Sequence, residues 1–187
     1  MIQARPEKIE SRELMAKAIE RLNHLAEDVL QTRKNLISAA QSEVSNVAEV
    51  IISNLELLQV ARSRKVSFAQ NGSNFQVRAP SKDLSRVITI LIENALDAAG
   101  EYGFVQARLD SQHKPGFVSI YIEDHGSGFP QSILNSAPSD WHTTKPDGNG
   151  LGLKFVYNWS LEVGGKLELS NLERGGALVS LHIPRVG

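Results

Sequence analysis

The sequence predicts an α+β fold: a two-layer α/β sandwich in which helices cover one face of a mixed β-sheet. Three observations carry this expectation. Apolar stripes recur at three- and four-residue steps, as in Leu84, Val87, Ile88, Leu91 and Ala95. Alternating runs such as Val118-Ser119-Ile120-Tyr121-Ile122 lie between them. Helical and strand-like segments interleave without the strict alternation of a doubly wound parallel sheet.

The 187 residues and formal net charge of −1 suit one compact domain with an appendage. Near-neutral charge argues against a nucleic-acid surface, which needs a basic excess. The absence of cysteine excludes a disulfide scaffold and a thiolate metal site. No run approaches the roughly 18 apolar residues of a membrane span, and no signal peptide opens the chain. These features predict a soluble, cytoplasmic polypeptide.

Residues 1–6 read as a frayed lead-in ending at Pro6. From Glu7 a long amphipathic helix is predicted, with Met15, Ala18, Leu22, Leu25 and Val29 as its apolar stripe and Glu20, Arg21, Glu27 and Asp28 opposite. Such a stripe must pack on another helix, either within the domain or in a hairpin or dimer bundle. Residues 35–44 form the expected linker, and a second helix follows with Val47, Ile51, Leu55 and Leu58 on one face. Lys65–Ala69 and Phe75–Arg78 alternate around Asn71-Gly72-Ser73-Asn74, so a β-hairpin is predicted there. Pro80-Ser81 opens the next helix, with Ser81 as N-cap. Gly103–Asp110 and Phe117–Asp124 read as strands. Residues 129–147, rich in proline and holding Trp141, read as one long irregular segment. A helix from Leu151 to Val163 and closing strands at Lys166–Ser170 and Leu178–Ile183 complete the chain.

Three stretches carry candidate chemistry. Asp124-His125-Gly126-Ser127-Gly128 ends a buried strand with a carboxylate and two glycines that let the backbone turn sharply. Alone it reads as a tight turn ahead of a ligand loop. Asn94 is an amide on a largely apolar helix, on the flank shared with Ile90 and Asp97. It calls for a backbone partner or a ligand. Gly148, Gly150 and Gly152 alternate with Asn149 and Leu151 just before a helix and beside Lys145. Backbone N–H groups and the helix dipole there favour a phosphate-bearing ligand, or else form a glycine-rich surface loop. The pattern is neither a P-loop nor a dinucleotide fingerprint. A strand-end carboxylate can accept from the exocyclic amine of adenine, and an amide oxygen suits Mg²⁺ bridging phosphates.

In order and spacing the three motifs resemble the ATP-binding catalytic domain of two-component sensor histidine kinases, within the gyrase, heat-shock chaperone, histidine kinase and MutL-type ATPase superfamily. The resemblance runs from about residue 8 to the C-terminus and implies a Bergerat-type ATP-binding fold over residues 45–187. It implies ATP and Mg²⁺ as cofactors. Asn94 corresponds to the Mg²⁺-binding asparagine and is the catalytic position; Asp97 lies in the same box. Asp124 corresponds to the adenine-binding aspartate, with Gly126 and Gly128 shaping the pocket. Thr143, Thr144 and Lys145 resemble the end of the ATP lid. Gly148, Gly150, Leu151, Gly152 and Leu153 resemble its hinge and phosphate-binding helix start. Ser180 matches a threonine or serine near the adenine. The short Thr-Thr-Lys-Pro lid is similar to that of the nitrogen- and dicarboxylate-sensing branch.

Residues 1–34, through Glu20-Arg21-Leu22-Asn23-His24-Leu25, resemble the second helix of the dimerisation and phosphoacceptor hairpin, with the first helix absent. The resemblance therefore implies a protein-histidine kinase that passes the γ-phosphoryl to a histidine outside this chain, for relay to a response-regulator aspartate. The implied parent is longer, homodimeric and of a kind often anchored in membranes. None of His24, His113, His125, His142 or His182 has the phosphoacceptor context. Three departures stand out: Ile90 replaces a second asparagine, Trp141-His142 replaces an aromatic pair in the lid, and His125 replaces an asparagine. Two other readings remain open, a degenerate nucleotide-binding or docking module without transfer, and an anti-sigma-type serine kinase of the same superfamily.

Overall fold

A computed structural model describes residues 43–62, 64–101, 103–141 and 151–187. The expected N-terminal helix and residues 35–42 of the linker lie outside them.

The alternation in the strands builds the main sheet. Strands β2 (Ser67–Asn71), β4 (Val105–Asp110), β5 (Phe117–Asp124), β6 (Lys166–Asn171) and β7 (Ala177–Pro184) assemble in the order β2-β4-β5-β7-β6. β2 runs parallel to β4 and the other pairings are antiparallel, so the sheet is mixed. Successive side chains point to opposite faces. Val105, Ala107 and Leu109, then Val118, Ile120 and Ile122, then Val179, Leu181 and Ile183 share one face and are all buried. Helix α1 (Val47–Arg62) packs on α2 (Ser81–Ala99), which lies against β4 and β5; α4 (Leu151–Glu162) lies against β6 and β7. The apolar stripe read from the sequence, Leu84 through Ala95, is the buried face of α2.

Four local expectations are corrected. β2 does not pair with the strand that follows it. Gln76–Arg78 (β3) pairs instead with Val44–Asn46 (β1), a strand that begins at the last residue of the expected linker. The reason is burial: Phe75 and Val77 are core residues, whereas β2 ends in exposed positions, and a hairpin would hold both at one sheet edge. Ser81 is not the N-cap; Pro80 occupies that position, and Ser81 N–H donates to the Glu43 carboxylate at 3.0 Å. The helix start is thus capped from a distant segment. The described part of the irregular segment, residues 129–141, holds helix α3 (Gln131–Leu134) and a 3₁₀ turn at Pro138–Asp140. Trp141 ends that part, buried edge-on against Tyr157 with its Nε1 donating to Ile133 O at 3.2 Å.

The second face of the sheet is polar and internally wired. His182 is 4 % exposed and sits between Ser119 Oγ, 2.8 Å from Nδ1, and Glu168 Oε2, 3.0 Å from Nε2. A carboxylate only accepts, so in the neutral ring Nε2 carries the hydrogen and Nδ1 accepts from Ser119. Lys166 Nζ lies 2.6 Å from Glu168 Oε1, and Tyr121 meets His182 edge-on beneath the Arg108 guanidinium.

Two predictions follow from this framework. Burial pushes His182 below the usual histidine value, against the opposing pull of Glu168. The folded protein therefore resists a proton that the unfolded chain accepts, and stability is lost as pH falls below about 6.5. His182→Phe should flatten the dependence of melting temperature on pH between about pH 7.5 and 5.5; an unchanged slope would place the proton uptake elsewhere. At the β6–β7 turn, Gly175 and Gly176 have φ of +88° and +93°, but only at Gly176 would a Cβ strike backbone, 1.9 Å from Asp124 O. Gly176→Ala should cost roughly 2–4 kcal/mol in urea unfolding, and Gly175→Ala about 1 kcal/mol.

Candidate functional site

The last residue of β5, Asp124, is 5 % exposed, and burial raises its carboxyl above the usual carboxylate range. Two backbone N–H groups oppose that shift, Gly126 at 2.8 Å and Ala177 at 3.3 Å, and both donate to Oδ1. Among the described residues Oδ2 has no hydrogen-bond partner, so one strong acceptor is left for a ligand.

The glycines after Asp124 are required by space. A Cβ on Gly126 would fall 2.3 Å from Ala98 O, in the last turn of α2. Gly128 has φ +76°, and a Cβ there would lie 2.8 Å from Asn171 Oδ1. Asn171 holds the next residue by both its amide ends. Phe129 N–H donates to its Oδ1 at 2.6 Å, and its Nδ2 donates to Phe129 O at 2.8 Å. The loop is therefore pinned at entry by Asp124 and at exit by Asn171. Glu123, beside Asp124, pairs with Arg174 of the β6–β7 turn.

The second wall is the C-terminal half of α2, which carries Asn94 and Asp97; neither is without a partner. At the start of α4, a Cβ on Gly152 would lie 3.2 Å from Ile90 Cγ2 and 3.8 Å from Asn94 Nδ2. Helix α2 thus meets the Asp124 loop at Ala98 and the α4 N-terminus at Ile90 and Asn94. Leu153 packs against the core, and Leu151 is exposed. The structure sets Gly126 of the Asp124 loop against Ala98 of α2 and Gly152 beside Asn94, while Gly128 lies at Asn171. Thr143, Thr144, Lys145, Gly148 and Gly150 lie outside the described residues.

Ser180 is not at this site. It stands opposite Tyr121 and Glu168 in the sheet, so it belongs to the polar face, one residue out of phase with Asp124. The β7 position beside the carboxylate is Ala177, through its backbone N–H. Sequence reasoning also missed Asn171 and Gly176. Both act across the sheet, and the only local signal was an asparagine at a strand end and a Gly-Gly turn.

The residues fit an adenine nucleotide in one respect: a buried carboxylate with one oxygen open at the head of a glycine loop packed closely on α2. For a divalent cation, no cluster of three or more His, Cys, Asp or Glu exists among the described residues. The donor on hand is the Asn94 amide, which suits a cation held mainly by ligand phosphates and water.

Residues 79–187 match the model of the histidine kinase-, DNA gyrase B- and HSP90-like ATPases. Among curated proteins, the sensor histidine kinase ZraS of Escherichia coli O157:H7 is 30% identical over 175 residues, which is 92% of this chain and 37% of ZraS. An NtrY-like sensor histidine kinase of Rickettsia felis is 27% identical over 161 residues, 85% of this chain and 26% of that protein. The chain thus spans little more than a third of ZraS and about a quarter of the NtrY-like protein. Of solved structures, the mycobacterial sensor histidine kinase MprB superposes with a TM-score of 0.66 at 28% identity, covering 76% of this chain and 97% of that one. The catalytic domain of the histidine kinase ThkA gives 0.65 at 26% identity, covering 76% and 95%. With the family model matching more than half of the chain and these structures sharing its fold, the chain belongs to the histidine kinase-, DNA gyrase B- and HSP90-like ATPase family.

Proposed function

We propose that this chain is the catalytic portion of a sensor histidine kinase, which binds Mg-ATP and passes its γ-phosphoryl to a histidine on a hairpin helix for relay to a response-regulator aspartate. The observation that carries the reading is the buried Asp124, with Oδ1 saturated and Oδ2 open, in a loop laid against the helix that bears Asn94. Asp124 Oδ2 accepts from the adenine amine, and Gly126 and Gly128 shape the pocket. Asn94, with Asp97 in the same box, holds the Mg²⁺ side of the triphosphate. Thr143, Thr144 and Lys145 close over it as the lid. Gly148, Gly150, Leu151, Gly152 and Leu153 form the hinge and the helix start that receives the phosphates. Mg²⁺, when bound there, would supply charge neutralisation for the phosphates. The acceptor imidazole nitrogen forms its bond to phosphorus as the β–γ bridging bond breaks, and ADP leaves with the electron pair. Such transfer rests on positioning and charge neutralisation more than on protein covalent chemistry.

In this reading residues 1–34 supply the second hairpin helix, and the catalytic portion begins at strand β1. The parent protein is a homodimer, membrane-anchored in the manner of many sensor kinases, with its catalytic portion in the cytoplasm. Support for the regulator partner comes from fold alone: ThkA, which shares the fold at 20% identity and TM-score 0.63, was crystallised with the response regulator TrrA. One observation favours a second reading, a nucleotide-binding module without transfer. Ile90 is apolar and packed at Gly152, so no side chain there can orient a phosphate or a proton.

Calorimetric titration of ATP with and without Mg²⁺ tests binding. Asp124→Asn should weaken it at least about tenfold, since a lost charge-assisted hydrogen bond is worth roughly 1.5–3 kcal/mol. The same variant should melt no lower than wild type. The raised Asp124 carboxyl favours the fold at low pH, and that contribution is lost as pH rises through its folded value, so the neutral isostere relieves a cost at neutral pH. Asn94→Ala should erase the Mg²⁺ enhancement. Folded protein without affinity for millimolar ATP would sink the reading. Transfer of label from γ-labelled ATP to a supplied histidine-bearing hairpin decides between kinase and non-transferring module.

A further inference from the structure

The last four carbonyls of a helix have no partner inside it, and α2, ending at Ala99, carries no basic side chain in its last turn. Gly100 N–H reaches back to Asp97 O at 3.3 Å. The Leu96 carbonyl is met from outside: Arg64, between α1 and β2, donates from Nη1 at 2.7 Å. Its Nη2 donates to Gly103 O at 2.8 Å. One planar fork thus clamps both ends of the connection from α2 to β4. That connection is tight, since a Cβ on Gly103 would fall 1.9 Å from Ala99 O.

Both clamped ends support the Asp124 loop. Gly126 rests on Ala98 O, two residues past Leu96. His125 N–H donates to Phe104 O at 3.2 Å, and the His125 and Phe104 rings lie 5.4 Å apart, one residue past Gly103. The two residues after Asp124 are therefore laid on two surfaces whose separation the guanidinium sets. A positive group at a helix C-terminus is favoured by the dipole, and only arginine offers two in-plane donors at fixed spacing.

We propose that Arg64, which lies outside the family-matched stretch, is a positioning residue for nucleotide binding, holding the α2 terminus and the β4 entry at the spacing the Asp124 loop needs. The ligand part of this inference rests on the ATP-binding reading above. Arg64→Ala and Arg64→Lys are compared with wild type and with Leu58→Ala, a core change on α1 that lowers stability without touching the clamp. Melting temperature, ATP affinity below every melting transition, and hydrogen exchange of the His125 and Gly126 amides are measured. Arg64→Ala should bind ATP about tenfold more weakly and exchange both amides about tenfold faster, while folded Leu58→Ala stays within about twofold of wild type on both. Arg64→Lys, which reaches one carbonyl at a time, should recover melting temperature more than affinity. Wild-type affinity and exchange in Arg64→Ala, or losses that merely track melting temperature across all variants, overturn the proposal. If wild type binds no ATP, the functional reading fails, and the amide exchange still decides whether Arg64 sets the loop.

Discussion

A carboxylate buried at the end of a central strand has to be satisfied, and the chain around Asp124 is arranged by that need. Oδ1 is met by two backbone donors from different segments, Gly126 just downstream and Ala177 on the neighbouring strand. Each donor can approach only because the backbone nearby lacks a side chain, at Gly126 itself and at Gly176, which lies on the Asp124 carbonyl. Desolvation still outweighs these bonds, and the carboxyl keeps a raised pKa. The site thus stores an unfavourable charge in the free protein, a common condition for a group meant to meet a partner.

Helix α2 converts that local need into a two-sided cleft because its three faces are engaged at once. One faces the sheet through Leu84, Val87, Ile88, Leu91 and Ala95. A second meets α1 through Asn54, whose Oδ1 accepts from Thr89 at 2.6 Å and from Ser85 at 3.2 Å and whose Nδ2 donates to Val50 O. The third meets α4, with the Arg86 guanidinium over the Phe155 ring and Ile90 against Gly152. Apolar packing alone tolerates small rotations of a helix, whereas a satisfied polar cluster does not. The Asn54 cluster fixes the rotation that sets Asn94 beside Gly152.

Features generated by short-range periodicity were legible in the sequence: the stripe on α2, the alternation in β4, β5 and β7, and the turn glycines after Asp124. Interactions decided across the sheet were not. Turn chemistry at Asn71–Asn74 favours a hairpin, but β2 pairs in parallel with β4, Ser67 opposite Gln106, 39 residues away. Ser180 was placed near the ligand by motif offset, and a one-residue difference in strand register carries it to the other face. Glu43 at the α2 N-terminus, Asn171 at the loop exit and Arg64 at the α2 C-terminus all act on backbone groups far away in sequence. No local pattern marks such residues.

The strand order leaves β2 and β6 as the edges of the main sheet among the described strands. Free edges invite another chain to add a strand, the usual route to domain swapping and fibre growth. On the polar face of β6, Lys166 pairs with Glu168, which in turn pairs with His182 of β7. A strand added at this edge would set its own side chains beside these charges, and apolar ones would strip water from them. The polar cluster that ties β6 to β7 therefore also guards the sheet against unintended self-association.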